Sequence, residues 1–179
     1  DRTSDGTAIG TFELSKIKKS NISGLIENFI TTNNATIIAA EDEIHGNELW
    51  ITNGTTVGTK LFADVNHSYS SNPLNFTNVN NELFFTANEK KYGNQLFKSD
   101  GTKNGTKIIK EINKGNICMN DPSAMKSING ILFFSANDGI HGYELWKSDG
   151  TENGTVLVKD INLGLSSSMQ DYYEKDLFT

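Results

Sequence analysis

The feature that most constrains this chain is a self-similarity with a period of about 48 residues. Asp5-Gly6-Thr7, Asn53-Gly54-Thr55, Asp100-Gly101-Thr102 and Asp149-Gly150-Thr151 succeed one another at offsets of 48, 47 and 49 residues. Each is trailed at constant spacing by a second glycine and threonine: Gly10-Thr11, Gly58-Thr59, Gly105-Thr106 and Gly154-Thr155. The same register aligns Glu48-Leu49-Trp50 with Gln95-Leu96-Phe97 and Glu144-Leu145-Trp146, and, farther upstream, the apolar runs Ile37–Ala40, Leu83–Ala87 and Ile131–Ala136. Two anchors that recur together in every unit mark a tandem repeat, which decides the architecture before any local reading does.

Within a unit the apolar pattern has a period of two, and its runs are short, β-branched or aromatic, and bounded by Gly, Asn and Asp, which is strand chemistry. The clearest unit predicts strand one over Ser123–Ile128, a two-residue hairpin at Asn129-Gly130, strand two over Ile131–Ala136, a wider loop to Gly142, strand three over Tyr143–Lys147 and strand four over Gly154–Ile161. A helical reading of Asn21–Ile30 gives way to its alignment with the first strands of later units. The expected fold is therefore all-β: a β-propeller, or an arc of one, built of four-stranded antiparallel blades that bury their faces against one another. A β-sandwich is the alternative, but it gives no reason for fixed offsets. The repeat phase divides 1–179, read as one repeat domain, into a partial blade over 1–20, full blades over about 21–65, 66–113 and 114–162, and a partial blade over 163–179. The phase of the two ends reads as a piece of a longer array.

Composition closes other routes. At 179 residues the chain is long enough for one core. Its net charge of −6, with cations spread over 15 lysines and the single Arg2, lacks the clustered charge that nucleic acid requires. Its apolar runs are far shorter than the roughly 20 residues a spanning helix needs, so no membrane span is expected. Cys118 stands alone and forms no intrachain disulfide, which fits either a reducing compartment or a secreted bacterial protein. No charged-then-apolar leader is visible at Asp1–Thr7.

The run Gly142–Thr151, continuing through Gly154–Ile161, resembles the bacterial ELW-x-x-DGT repeat family. The likeness is looser at Glu48-Leu49-Trp50, where Asn53 stands for aspartate, and at Gln95-Leu96-Phe97, where Gln and Phe stand for Glu and Trp. The resemblance implies a secreted or surface-associated repeat protein of propeller-like structure, and it carries no catalytic residues over. The Ser148–Thr151 turn is also similar to the Asp-box hairpin of sialidase-type propellers, in which aspartate and threonine support the turn.

Asp5, Asp100 and Asp149 could be read as calcium ligands, but calcium needs six to eight oxygens and these carboxylates come one per unit. Asn53 keeps the turn chemistry without the charge, so Asp5, Asn53, Asp100 and Asp149 are read as structural repeat positions, and no metal or cofactor is expected. Trp50, Phe97 and Trp146 keep a constant register, which fits packing between units better than sugar stacking. His45 and His141 occupy equivalent loop positions with Tyr92 between them, which points to a hydrogen bond within the loop rather than to zinc; His67, without a repeat partner, is expected to face solvent. The aromatics outside the repeat, Tyr69, Tyr172 and Tyr173, are the candidate ligand-binding residues.

A sialidase-type carboxylate clamp needs several arginines, which Arg2 alone cannot supply. Glu41, Asp42, Glu43, Glu89 and Asp138 crowd the loops between strands two and three and could hold a glycosidase pair, but such acids are ordinarily solvated, and no nucleophile, base and orienting group converge. Of the N-x-S/T triplets, those at Asn53, Asn104 and Asn153 belong to the turn chemistry itself. The expectation is a noncatalytic binding or adhesion module at the cell surface or outside the cell, engaging a glycan or a surface protein through rim loops. The alternatives are a self-associating structural unit of a surface layer or filament, and a secreted glycan hydrolase or lyase.

Overall fold

The computed structural model describes residues 2–3, 12–13, 29–32, 35–67, 69–113 and 122–169. Asp5, Cys118, Tyr172 and Tyr173 lie outside the described residues. The fold is all-β, with no helix among the described residues.

A short pair, β1 (Arg2–Thr3) with β2 (Phe12–Glu13), precedes three four-stranded antiparallel sheets. The first sheet is β3 (Phe29–Thr32), β4 (Ala35–Asp42), β5 (Gly46–Thr52) and β6 (Lys60–Ala63). The second is β7 (Leu74–Val79), β8 (Glu82–Glu89), β9 (Gly93–Ser99) and β10 (Lys107–Lys110). The third is β11 (Ser123–Ile128), β12 (Ile131–Asn137), β13 (Tyr143–Ser148) and β14 (Val156–Lys159). In each sheet the strands pair in sequence order, a plain meander, and none closes into a barrel.

Local chemistry sets these boundaries. Asn129 and Gly130 hold φ of 51° and 77°, the double positive φ of the hairpin turn whose twist matches the flanking strands. Asn80 and Asn81, at 52° and 68°, make the equivalent turn without glycine, because asparagine tolerates the left-handed region. The first strand carries a bulge in both later sheets, where the register slips between Leu74 and Thr77 and between Ser123 and Lys126, with Asn75 and Ala124 at positive φ. The fourth strand is shorter than its apolar pattern predicts: Gly154 and Thr155 are taken up by the preceding turn, and Ile161 by the link that follows.

Alternation along the middle strands gives the second sheet two covered faces. Leu83, Phe85, Ala87 and Phe97 point to one side and form a cluster with Ile37, Leu49 and Ala63 of the first sheet. Phe84, Leu96 and Ile109 point to the other side and pack with Leu132, Phe134, Ala136 and Trp146 of the third. Phe85 stacks on Phe97 at 5.3 Å between ring centroids and meets Phe76 edge-on at 6.1 Å. The five consecutive buried residues Leu83–Ala87 are what a strand covered on both sides requires. The first strands adjoin as well: β7 lies beside both β3 and β11, and Asn75 Nδ2 donates to the Pro122 carbonyl at 3.3 Å.

Candidate functional site

Consecutive antiparallel strands send successive connections to opposite edges of a sheet. One edge carries the two-residue hairpins and the Asx-Gly-Thr turns. The other carries the loops between strands two and three, together with the links from each sheet to the next.

The turn edge is a repeated hydrogen-bond cassette. Oδ1 of Asn53 accepts from Thr55 N at 3.1 Å and Thr55 Oγ1 at 2.7 Å; Asp100 and Asp149 do the same for Thr102 and Thr151 at 2.9 and 2.7 Å. Each threonine hydroxyl in turn accepts from the amide of Gly58, Gly105 or Gly154 at 2.9 to 3.0 Å. A Cβ on any of those glycines would overlap the Asn53, Asp100 or Asp149 side chain, so the second glycine of the repeat is there to let that side chain pass. Thr59, Thr106 and Thr155 close the cassette through hydroxyl pairs of 2.7 to 2.8 Å with Thr52, Ser99 and Ser148. The bonds from Thr102 and Thr151 hold the Asp100 and Asp149 carboxyls below the ordinary range. These positions are therefore engaged in their own turns, and among the described residues no group of three or more His, Cys, Asp or Glu could hold a metal ion.

Two acids at equivalent repeat positions fasten the opposite edge. Glu48 is fully buried; Oε2 accepts from Val65 N at 2.9 Å and Ser71 Oγ at 2.6 Å, and Oε1 accepts from Ser71 N at 2.7 Å. Glu144 does the same for the link after the third sheet, accepting from the amides of Ile161, Asn162 and Ser168 and from the Ser168 hydroxyl. Burial raises the Glu48 carboxyl above its usual range despite these bonds. At Glu144 burial pulls the same way, but the hydrogen bonds outweigh it and the carboxyl is lowered. Trp50 and Trp146, two positions on along the same face, have buried indole N–H groups without hydrogen-bond partners among the described residues; Trp146, like Phe97, sits in an apolar cluster shared with the preceding sheet.

The loops on this edge are self-braced. Asp42 Oδ1 accepts from the amides of Ile44 and His45, while the His45 ring donates from Nδ1 to Oδ2 at 2.8 Å. Asp138 repeats the arrangement with Ile140 and His141, at 2.7 Å to the ring. Glu89 accepts from the amides of Lys91 and Tyr92 at 2.8 and 3.1 Å. The bond to its aspartate raises each histidine above its ordinary value. Asp42 and Asp138 are lowered, burial being outweighed by the bonds from their loops. His67, largely exposed, lies 3.1 Å from Asp64. Asp42 and Asp138 thus spend both oxygens, and Glu89 one, inside separate loops.

The first link ties the first sheet to the second on this side. Asn47 N donates to Ser70 Oγ and Asn72 N to the Asn47 carbonyl, while Asn88 N, at the end of β8, donates to the Ser71 carbonyl. Alongside exposed polar residues such as Glu43, His67, Lys90 and Lys91, the rim leaves several apolar or aromatic side chains uncovered. Tyr69 is 72% exposed in the first link, Ile44 85% and Ile140 65% at equivalent loop tips, and Leu163 and Leu165 are exposed in the last link. Tyr69 is the sequence candidate that the structure places; the exposed aliphatic residues beside the braced loops were missed, although the recurring Ile-His-Gly at 44–46 and 140–142 was their signal.

No family model, curated protein or solved structure matches this chain. Among the described residues no helix is long and apolar enough to cross a membrane.

Proposed function

We propose that this chain is a noncatalytic recognition module, an arc of β-propeller blades of the ELW-x-x-DGT type acting at the cell surface or outside the cell, which engages a glycan or a surface protein through the rim formed by loops 42–46, 89–93 and 137–142 and links 64–73 and 161–169. The observation that carries this reading is that Asp42, His45, Glu89, Asp138 and His141 are engaged in bracing the rim loops, while Tyr69 and the aliphatic tips Ile44 and Ile140 face solvent. A tyrosine ring offers a rigid, partly polar surface suited to sugar faces and to protein contacts alike. The propeller reading is supported by the face-to-face packing of successive meanders and by the adjoining first strands. That both oxygens of Asp42 and of Asp138 are engaged in their own loops weighs against these two as a hydrolytic pair, which needs carboxyl groups free on either side of a scissile bond.

The experiment is a glycan array and a surface-protein panel probed with the full chain, followed by Tyr69→Ala and by Ile44→Ser with Ile140→Ser. Binding is expected to fall by about tenfold or more for Tyr69→Ala, the effect of losing an exposed aromatic anchor, with the unfolding transition unmoved. Binding that is indifferent to all three substitutions refutes the rim as the site.

A further inference from the structure

We propose that Asn129 is a site of covalent self-modification: it cyclises with the Gly130 amide to a succinimide and opens to aspartate and isoaspartate, while the other described Asn-Gly pairs are held inert by their turns. The inference stands apart from the rim and rests on where the glycine N–H groups go. In the reaction the glycine nitrogen attacks the asparagine Cγ; the N–Cγ bond forms, the Cγ–Nδ2 bond breaks, and ammonia leaves carrying the glycine proton. Water then opens the ring. Attack at the side-chain carbonyl restores the backbone as aspartate, and attack at the main-chain carbonyl routes it through the side chain as isoaspartate. A glycine amide that already donates to an acceptor must first break that bond and turn, so each such bond slows the step.

Seven Asn-Gly or Asp-Gly pairs lie within the described residues, and six of their glycine amides are taken. Gly54, Gly101 and Gly150 donate to the hydroxyls of Thr52, Ser99 and Ser148 at 3.0 to 3.2 Å. Gly105 and Gly154 donate to Thr102 and Thr151 at 2.9 to 3.0 Å, and Gly139 donates to Asn137 Oδ1 at 2.8 Å. Gly130 is the exception: among the described residues its carbonyl accepts from Asn80 Nδ2 at 3.1 Å, and its N–H meets no acceptor. Exposure does not make the distinction, because Asn53, Asn104 and Asn153 are exposed like Asn129. To cyclise, Asn129 must leave its left-handed φ of 51°, a local opening of the kind that costs least at a hairpin tip. The aspartate product keeps the turn, since Asp-Gly favours the same hairpin, and adds a negative charge. The isoaspartate product puts an extra backbone carbon between Ile128 and Ile131, whose pairing depends on a two-residue turn, and moves the Gly130 carbonyl away from Asn80 of the second sheet.

The test incubates the full chain, folded and in urea, in heavy-oxygen water at mildly alkaline pH, and reads aspartate and isoaspartate at each site by peptide mass spectrometry. In urea Asn53, Asn104, Asn129 and Asn153 should react at similar rates, because they share one dipeptide. Folding should slow Asn53, Asn104 and Asn153 relative to Asn129 by about tenfold or more, the worth of one hydrogen bond. Thr102→Val removes the acceptor of the Gly105 amide and should raise the Asn104 rate by about tenfold with Asn53 unmoved, whereas Thr102→Ser keeps the oxygen and the slow rate. If Thr102→Val fails to fold, Thr151→Val makes the same test at Asn153. Folded rates that, each taken relative to urea, are equal at all four sites, a slower rate at Asn129 than at the other three, or an Asn104 rate indifferent to Thr102→Val overturns the proposal.

Discussion

Replacing Glu48 by leucine should reveal how strongly the links depend on a buried acid. The carboxylate receives three donors, the amides of Val65 and Ser71 and the Ser71 hydroxyl, at 2.6 to 2.9 Å, and Ser71 is itself fully buried. Leucine leaves both amides without an acceptor, at about 1–3 kcal/mol each, while the hydroxyl can turn elsewhere. Part of that cost is offset because a buried charge disappears, so a net destabilisation of about 2–4 kcal/mol is expected. Glu48→Gln keeps one acceptor oxygen and should cost about 1–2 kcal/mol. Urea unfolding at about pH 7, followed by tryptophan fluorescence, reads the shift in midpoint at constant slope. Native-state hydrogen exchange should accelerate at Val65 and Ser71 ahead of the β8 amides. The raised Glu48 carboxyl fixes the sign with pH: the folded chain holds this proton more tightly than the unfolded one, so the residue's contribution is most favourable below the ordinary carboxylate range and weakens as pH rises through the raised value. Glu48→Gln removes that dependence. A leucine variant within about 0.5 kcal/mol of wild type, with exchange at both amides unchanged, would refute the reasoning.

Other consequences follow from the turns and loops. Gly105→Ala should destabilise by about 1–3 kcal/mol in the same urea assay, because its Cβ displaces the Asp100 side chain and breaks the bonds to Thr102; a cost as small as that of an exposed surface alanine would contradict the cassette. In proton NMR titrations His45 and His141 should both titrate above 6.5, and Asp42→Asn should lower His45 while leaving His141 in place; equal midpoints with and without Asp42 would show the pairing to be inert. For these pairs the sign runs in both directions. The histidine contribution is complete below the ordinary imidazole value and is lost as pH rises through the raised one, and the aspartate contribution is present above the ordinary carboxylate value and lost as pH falls through the lowered one.

Features that depend on near neighbours in sequence were legible before any coordinates. The Asn129-Gly130 hairpin, the alternation along Ile131–Ala136 and the Asx turns at Asn53, Asp100 and Asp149 all act within a few residues, and the structure has each of them. Features that need distant partners were not. Glu48 reads as one letter of a motif until Val65 and Ser71, 17 and 23 residues away, fold onto it. Gly58, Gly105 and Gly154 were visible as a constant, but the reason, a side chain crossing above them, exists only in three dimensions. The acids at Asp42 and Asp138 looked like free rim charges because a sequence does not show that a loop folds back to use both oxygens. Tyr69 stood out as an aromatic off the repeat, and it is exposed.

The turn cassette closes on itself: the side-chain hydrogen bonds of Asn53, Thr55 and Thr59 all run within residues 52–59. A hairpin of this kind can nucleate before its sheet has any neighbour, which favours growth of the stack from several seeds at once. It also means that a duplicated stretch of coding sequence arrives with its own turn already wired, and only the two flat sides of the newcomer must match, which makes gain or loss of whole units the cheapest route by which a protein of this design changes length.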